Sequence, residues 1–224
     1  AAGVREIDAA LAAARRHEAN ILTISVAPVF ASKWLVPRLS RFAARRPDLR
    51  VRIDATTALV DLETSDVDLA IRVGPGGWPG VKAERFFDQE VFPVCSPALA
   101  ARLREPADLL KLPVVRDANS TIPWGPWLAQ FGLSEDGLNE GNSFTDAALA
   151  LDAAIAGQGV LLAWQFLAEA ALRAGTLVQP FPQRVKAGAG YYLLTALGRR
   201  EERKVADFKA WMQEEIAETA RLFG

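Results

Sequence analysis

WLVPRLSRFAARRPDLRVRI (residues 34–53), followed closely by VDLETSDVDLAIRVG (60–74), carries the pattern that sets the fold class. The two segments read as an amphipathic helix, a turn, a strand and a second short helix feeding another strand, which is how a parallel α/β domain opens. Leu35, Leu39 and Phe42 fall on one helical stripe, and Arg38, Arg41 and Arg45 share the opposite face, expected to be wet. Val51 and Ile53 alternate with Arg50, Arg52 and Asp54, the pattern of a strand with one wetter side; Leu69, Ile71 and Val73 supply the next strand. Asp68 and Arg72 are four apart there and share a side of the sheet. They read either as a structural pair or, for Arg72 near the strand's carboxyl end, as a contact for an acidic ligand.

The same alternation extends outward. Upstream, ILTISV (21–26) is a buried strand, and APVFAS leads into the helix, with Pro37 placed in its first turns. Downstream, VFPVCSPALAARL (91–103) turns from strand to helix, with Ser96 and Pro97 in N-cap and first-turn order; a domain crossing is expected near Val91–Val94. A strand follows at Leu112–Arg116, then the aromatic stretch WGPWLAQFG (124–132). In NSFTDAALALDAAIAGQGV (142–160), Ser143 and Asp146 give a capping-box-like helix start, and Gly157 ends the helix before a strand at 160–163. A helix at 166–174, a strand YYLLTAL (191–197) returning to the first domain, and a final helix at 201–222 complete the order. Val205, Phe208, Met212 and Ile216 mark one face of that last helix. Residues 1–20 carry Ile7, Leu11 and Ala14 at helical spacing.

Composition narrows the function. The chain has 224 residues, half of them hydrophobic, enough for one large or two small domains. Lys and Arg number 26 against 27 Asp and Glu, so it is no electrostatic glove for DNA. No apolar run reaches membrane-spanning length, and Arg5, Glu6 and Asp8 fall where a signal peptide would be apolar. The single cysteine, Cys95, fits a reducing, cytoplasmic compartment and reads as a packed side chain. With one histidine, His17, in the N-terminal helix, neither a nucleophile–base arrangement nor a zinc site has its residues, and no cofactor is expected. GPGGWPG (74–80) lacks both the G-x-G-x-x-G order and a Walker lysine, so it is a turn; Trp78 either caps a cleft or packs on the loop. Trp124 and Trp127 share a helix face and read as core, with Trp124 also a candidate pocket residue.

Ligands of open parallel sheets sit beyond the carboxyl ends of the strands, where helix N-termini offer free N–H groups. Here those edges are Pro28–Ser32, Thr56–Thr57 and Ser143–Thr145. Facing each other, they would form a cleft suited to a small anionic molecule.

LTISVAPVFASKWLVPRLSRF, VDLAIRVGPGGWPG, FPVCSPAL, WGPWLAQFG, AIAGQGVLLA and the YYLLTA strand, in this order and spacing, resemble the effector-binding region of LysR-type transcriptional regulators of the glycine-cleavage-activator-like branch. The resemblance implies an α/β fold of two Rossmann-like subdomains joined by two crossing strands, as in type II periplasmic binding proteins, with a small effector in the cleft. It implies a linker-helix end at 1–20, one subdomain from 21–91 with 196–224, and the other from 92–195. It also implies an antiparallel dimer, or a tetramer, in which the Leu35–Leu39–Phe42 stripe meets the helix over 144–156. DNA would be bound only through a winged helix-turn-helix in a preceding segment, and no membrane is involved. The effector set is then Val29, Phe30, Ala31, Ser32, Thr56, Thr57, Arg72, Trp124, Ser143, Phe144, Thr145 and Tyr191. Family members often carry Ser or Thr where this sequence has Val29, which shifts the head-group contact to Ser32 and backbone N–H groups. A solute-binding receptor of a transport system shares the expected fold and is the second reading.

Residues 1–224 alone are expected to show no sequence-selective DNA binding, since a balanced charge supplies neither phosphate neutralisation nor a recognition element. A salt-resistant, sequence-selective gel shift would contradict this.

Overall fold

The computed structural model describes residues 20–223, so the helix expected over 1–20, with His17, falls outside it apart from Asn20. Strand β1 (Ile21–Val26) is paired in parallel on one side with β2 (Arg50–Ala55) and on the other with β3 (Leu69–Gly74). A second parallel set places β5 (Pro113–Asp117) between β6 (Asn139–Phe144) and β7 (Val160–Trp164). Between the sets run two long strands, β4 (Val81–Val94) and β8 (Val185–Ala196), antiparallel to each other and to β7 and β3 respectively. The eight-stranded order is β2-β1-β3-β8-β4-β7-β5-β6. The sheet is therefore mixed, where strand–helix alternation predicted parallel pairing throughout. The middle escapes that rule because β4 and β8 extend well beyond VFPV and YYLLTA, through VKAERFFDQE and VKAGAG, whose charges and glycines hide the strand pattern.

Helix α1 (28–45) begins at Pro28, not at the WLVPR segment, so Pro37 lies in its interior. A proline there has no N–H to donate and crowds the carbonyl four residues back. The helix absorbs it by opening into a π turn at Ala31–Leu35 and tightening into a 3-10 turn at Val36–Arg38 before resuming. Leu35 and Phe42 point inward, Phe42 meeting Phe208 and Trp211 of the final helix with centroids at 5.3 Å in both cases. The stripe expected to form a dimer surface is thus consumed by the protein's own core, together with Val205, Phe208, Met212 and Ile216. The segment at 60–68 is not a helix. The Asp61 carboxylate accepts the N–H groups of Glu63 and Thr64 and the Thr64 hydroxyl, which holds the chain in a single turn.

The arginine face of α1 is wet, as expected, at Arg41 and Arg45, and it is also paired throughout. Arg38 donates to Glu169 at 2.7 Å and to the Trp34 carbonyl at 3.0 Å. Arg41 donates to Glu215 at 2.9 Å and Glu218 at 2.8 Å, and Arg45 grips Glu214 with two bonds. The next arginines are paired too: Arg46 with Asp48 and Asp207, and Arg52 with Asp66. Glu169, on helix α3 (Gln165–Arg173), is 1 % exposed; it also accepts from Arg173 and from the Thr219 hydroxyl of the final helix (α4, Arg203–Phe223). Helix α2 (Ala147–Ile155) covers the other half of the sheet, where Leu151 and Ala154 join Phe92, Leu161 and Leu167 in a second core.

Phe42→Ala is expected to cost about 3–5 kcal/mol, the usual penalty for emptying a buried aromatic site. Glu169→Ala is expected to cost a similar amount, about 3–5 kcal/mol, by removing the buried carboxylate shared by Arg38, Arg173 and Thr219 and leaving Arg38 only the longer pair with Glu215 at 3.6 Å. Urea unfolding measures both; an unchanged midpoint with altered oligomeric state for Phe42→Ala would restore the interface reading.

Candidate functional site

A cavity of about 680 Å³ opens between the two halves of the sheet. The first half contributes Ala27–Phe30 at the start of α1, Thr57 beyond β2, and Val73–Pro75 at the end of β3. The second contributes Asp117 and Asn119–Pro123 beyond β5, and Thr145–Ala147 between β6 and α2. Gln89, Val91, Trp164, Val185, Lys186 and Tyr191 add the side chains of the crossing strands and β7. These are the carboxyl ends of parallel strands in both halves, where an open sheet presents its loops.

Aromatic packing shapes the wall. Tyr191 and Leu193 face the α1 core while Tyr192 and Leu194 face the other side, as strand alternation requires. Phe166 of α3 sits edge-on to Tyr191 at 4.6 Å and to Phe30 at 5.1 Å, and Phe30 lies 5.5 Å from Tyr191. Burial pushes the Tyr191 phenol well above its usual range, opposed in part by the Gln89 side chain. Tyr191 is therefore a neutral hydrogen-bonding group at any working pH. Trp78 does not cap the cavity: it stacks edge-on against Tyr192 at 5.1 Å, on the far side of the sheet. Gly76, at φ 92°, passes so close to Tyr192 that a Cβ there would lie 2.7 Å from the hydroxyl oxygen.

The two helix starts differ. In α1 the first bond runs from Ala31 N to Ala27 O and no side chain caps the turn, leaving the N–H groups of Val29 and Phe30 unclaimed. In α2 the cap is Asp146, whose Oδ1 accepts from Ala148 N at 2.7 Å. Ser143 was the expected cap, but Ser143 and Phe144 belong to β6, an exposed edge strand whose polar NEGNSF sequence shows no apolar alternation.

Of the residues expected around the ligand, Val29, Phe30, Thr57, Thr145 and Tyr191 line the cavity. The others do not. Ala31 is buried in the α1 core, Ser32 is exposed and donates to the Val29 carbonyl, and Thr56 accepts from Ala58 N. Ser143 is exposed on β6, and Phe144 packs into the core beneath α2. Trp124 is 2 % exposed, packs against Trp127, and borders a separate recess of about 50 Å³ next to the cleft. Arg72 lies on the face of β3 away from α1, donating to Ser25 O and Oγ, Ile71 O and Ala58 O, with Nε unpaired. Asp68 is not its partner; it precedes the strand and meets Lys204 at 2.7 Å. Burial lowers the Arg72 pKa, with Asp54 opposing.

Sequence reasoning missed Gln89, Asp117, Asn119 and Trp164. The signal for two of them was present: D-A-N-S at 117–120 is an Asx-turn sequence directly after a strand, and Asp117 Oδ1 indeed accepts from Asn119 N at 3.0 Å. Cys95 is fully buried, and burial pushes its thiol up to about 11, so it is inert as a nucleophile. Among the described residues, no group of three His, Cys, Asp or Glu side chains is placed to hold a metal ion.

The LysR substrate binding domain family matches residues 15–217. The glycine cleavage system transcriptional activator of Escherichia coli K12 is 38 % identical over 200 residues, covering 88 % of this chain and 65 % of the activator. The transcriptional activator AmpR of Pseudomonas aeruginosa is 32 % identical over 206 residues, covering 92 % and 69 %. The solved effector domain of that AmpR superposes with a TM-score of 0.74 at 31 % identity, covering 90 % of this chain and 98 % of the domain. The AmpR effector binding domain from Citrobacter freundii gives a TM-score of 0.74 at 28 % identity, covering 89 % and 99 %. This likeness establishes the type II periplasmic-binding-protein-like architecture, and the chain spans 65 % of the length of the glycine cleavage activators it matches. The chain belongs to the LysR substrate binding domain family, the effector-sensing domain of LysR-type transcriptional regulators.

Proposed function

We propose that the cavity is the effector site and that its ligand controls how an oligomer of the longer regulator engages DNA. One observation carries this: the cavity wall is built from both halves of the sheet, so a ligand touching both has an affinity that depends on their arrangement. A ligand shifts such an equilibrium only through that difference in affinity. Residues 21–91 with 196–224 and residues 92–195 are the two bodies of this reading, hinged on β4 and β8.

DNA contact belongs to a winged helix-turn-helix elsewhere in the regulator, and the protein works in the cytoplasm without a cofactor and without catalysing a reaction. No helix among the described residues is long and apolar enough to cross a membrane. Self-association is assigned to the outer faces of α1 and α2, where Val36 is 51 % and Leu149 52 % exposed, instead of to the buried Leu35 and Phe42. The solute-receptor reading has the same fold, but the relatives in hand are transcriptional regulators.

Thermal melting against a metabolite panel tests the site. A ligand at a hundredfold excess over its Kd should stabilise the fold by roughly 2.7 kcal/mol. Thr145→Val, on the wall, should weaken binding more than Val29→Thr, because it removes a hydroxyl where the second changes only an apolar contact. Equal binding by wild type and Thr145→Val, with the ligand seen outside the cleft in a crystal, would refute the assignment.

A further inference from the structure

The charged lining of the cleft is two carboxylates, Asp117 and Asp146, against one ammonium, the exposed Lys186 of β8, a net negative balance that does not suit an anion. Adjacent parallel strands β5 and β6 deliver two carboxylates to one rim: Asp117 closes β5 opposite Phe144, and Asp146 follows β6 by two residues. Asn119 ties the two loops, its side-chain amide donating to the Thr145 carbonyl at 2.6 Å. Each carboxylate spends Oδ1 on a backbone N–H, Asp117 on Asn119 and Asp146 on Ala148. Neither forms a salt bridge with a described residue, although both line the cavity. The α2 N-terminus, which could otherwise attract an anion, is already occupied by the Asp146 carboxylate. Deeper in, Gln89 is 5 % exposed, lines the cavity and meets the Tyr191 side chain. The opposite wall is apolar at Val29, Phe30 and Val73, with two unclaimed N–H groups at the start of α1.

We infer that the effector bears a protonated amine, held by Asp117 and Asp146, and that its acceptor end reaches the free N–H groups of α1. A ligand offering only a carboxylate would bring like charge to the acidic rim. The inference rests on the cleft being the sensor site and replaces the expectation of a purely anionic effector with an amine-bearing one. Gln89 contacts the polar middle of such a molecule, and Phe30, Trp164 and Tyr191 bound its apolar body.

The test uses matched triplets on aliphatic and aromatic skeletons: an amino acid, the carboxylic acid lacking its amine, and the amine lacking its carboxylate. Each is added at millimolar concentration, and binding is read by melting shift and by calorimetry. Members with an amine should bind and the deaminated acids should not. Asp117→Asn and Asp146→Asn each keep the oxygen that accepts the backbone N–H, so the turn and the cap survive; Asn is as good an N-cap as Asp. Each variant should melt near wild type and bind the amine-bearing probe roughly tenfold more weakly, as expected for loss of a hydrogen bond to a charged group. Acids that bind as well as their amino acids, or Asn variants with undiminished affinity, would overturn the amine assignment while leaving the sensor reading in place. Silence from every triplet, acids included, would count against both.

Discussion

A single buried carboxylate fastens three helices together, and the position of the cleft wall depends on it. Glu169 receives Arg38 from α1 at 2.7 Å, Arg173 from its own helix at 2.9 Å and the Thr219 hydroxyl from α4 at 2.8 Å; Trp34 donates its indole N–H to the same hydroxyl. A charge so buried is tolerated only with its lone pairs filled, and here the partners come from different parts of the chain. The network fixes α3 against α1. Phe166, one turn earlier on α3, is thereby held between Phe30 and Tyr191, which form the cavity wall. The packing is interlocked: Phe166 from the second half enters the first core, while Phe223 at the end of α4 enters the second, 5.6 Å from Phe92. Relative movement of the halves must therefore pivot about this clamp and the β4–β8 pair.

The cleft inherits its chemistry from where strands stop. A parallel strand ends by handing its chain to a loop and then to a helix, so backbone N–H groups and short polar side chains gather at that edge. In the first half the loop after β1 is short and hydrophobic, A-P-V-F, and offers backbone N–H groups, with the Thr57 side chain added from beyond β2. In the second half D-A-N-S-T and T-D-A place carboxylates, an amide and hydroxyls at the same edge. Under the proposed function, the first half thus contributes mainly apolar contact and dipoles, and the second charge and hydrogen bonding.

Strands β1, β3 and β7 were legible in the sequence because most of their residues are buried, β2 because its apolar residues alternate, and the helices because they carry regular stripes; the exposed edge strand β6 was not. The stripe of α1 was read correctly as apolar and wrongly as external: periodicity reports that a face is buried but not what buries it. The ion pairing of the arginine face was hidden for the same reason, since its partners Glu214, Glu215 and Glu218 lie more than 160 residues away. The middle of the sheet was half visible. Crossing strands expose charge along much of their length, so only the segments inside a core, VFPV and YYLLTA, kept the apolar signature. For the site, the edge rule found the loops after β1 and β2 and the turn before α2. It passed over the loop after β5, and with it Asp117 and Asn119. Gln89 had no local signal, because a polar residue in a charged strand looks exposed until β8 and the second half close over it.

Val29 ties these threads together. A hydroxyl there would let the first half hold a polar head group through a side chain; valine withdraws that option and Pro28 removes one N–H as well. What remains polar on that side is the Thr57 side chain and the pair of N–H groups at Val29 and Phe30, which favour negative charge and donate to a suitably placed acceptor atom. Selectivity must then come from the other wall, where Asp117, Asp146 and Asn119 are positioned by strand pairing and by the Asn119–Thr145 bond. An effector that satisfies only the apolar wall gains affinity for the first half without drawing the second toward it. Under the proposed function, coupling between binding and rearrangement therefore resides in the polar groups of the second half, the part of the cleft where charge, not shape, discriminates.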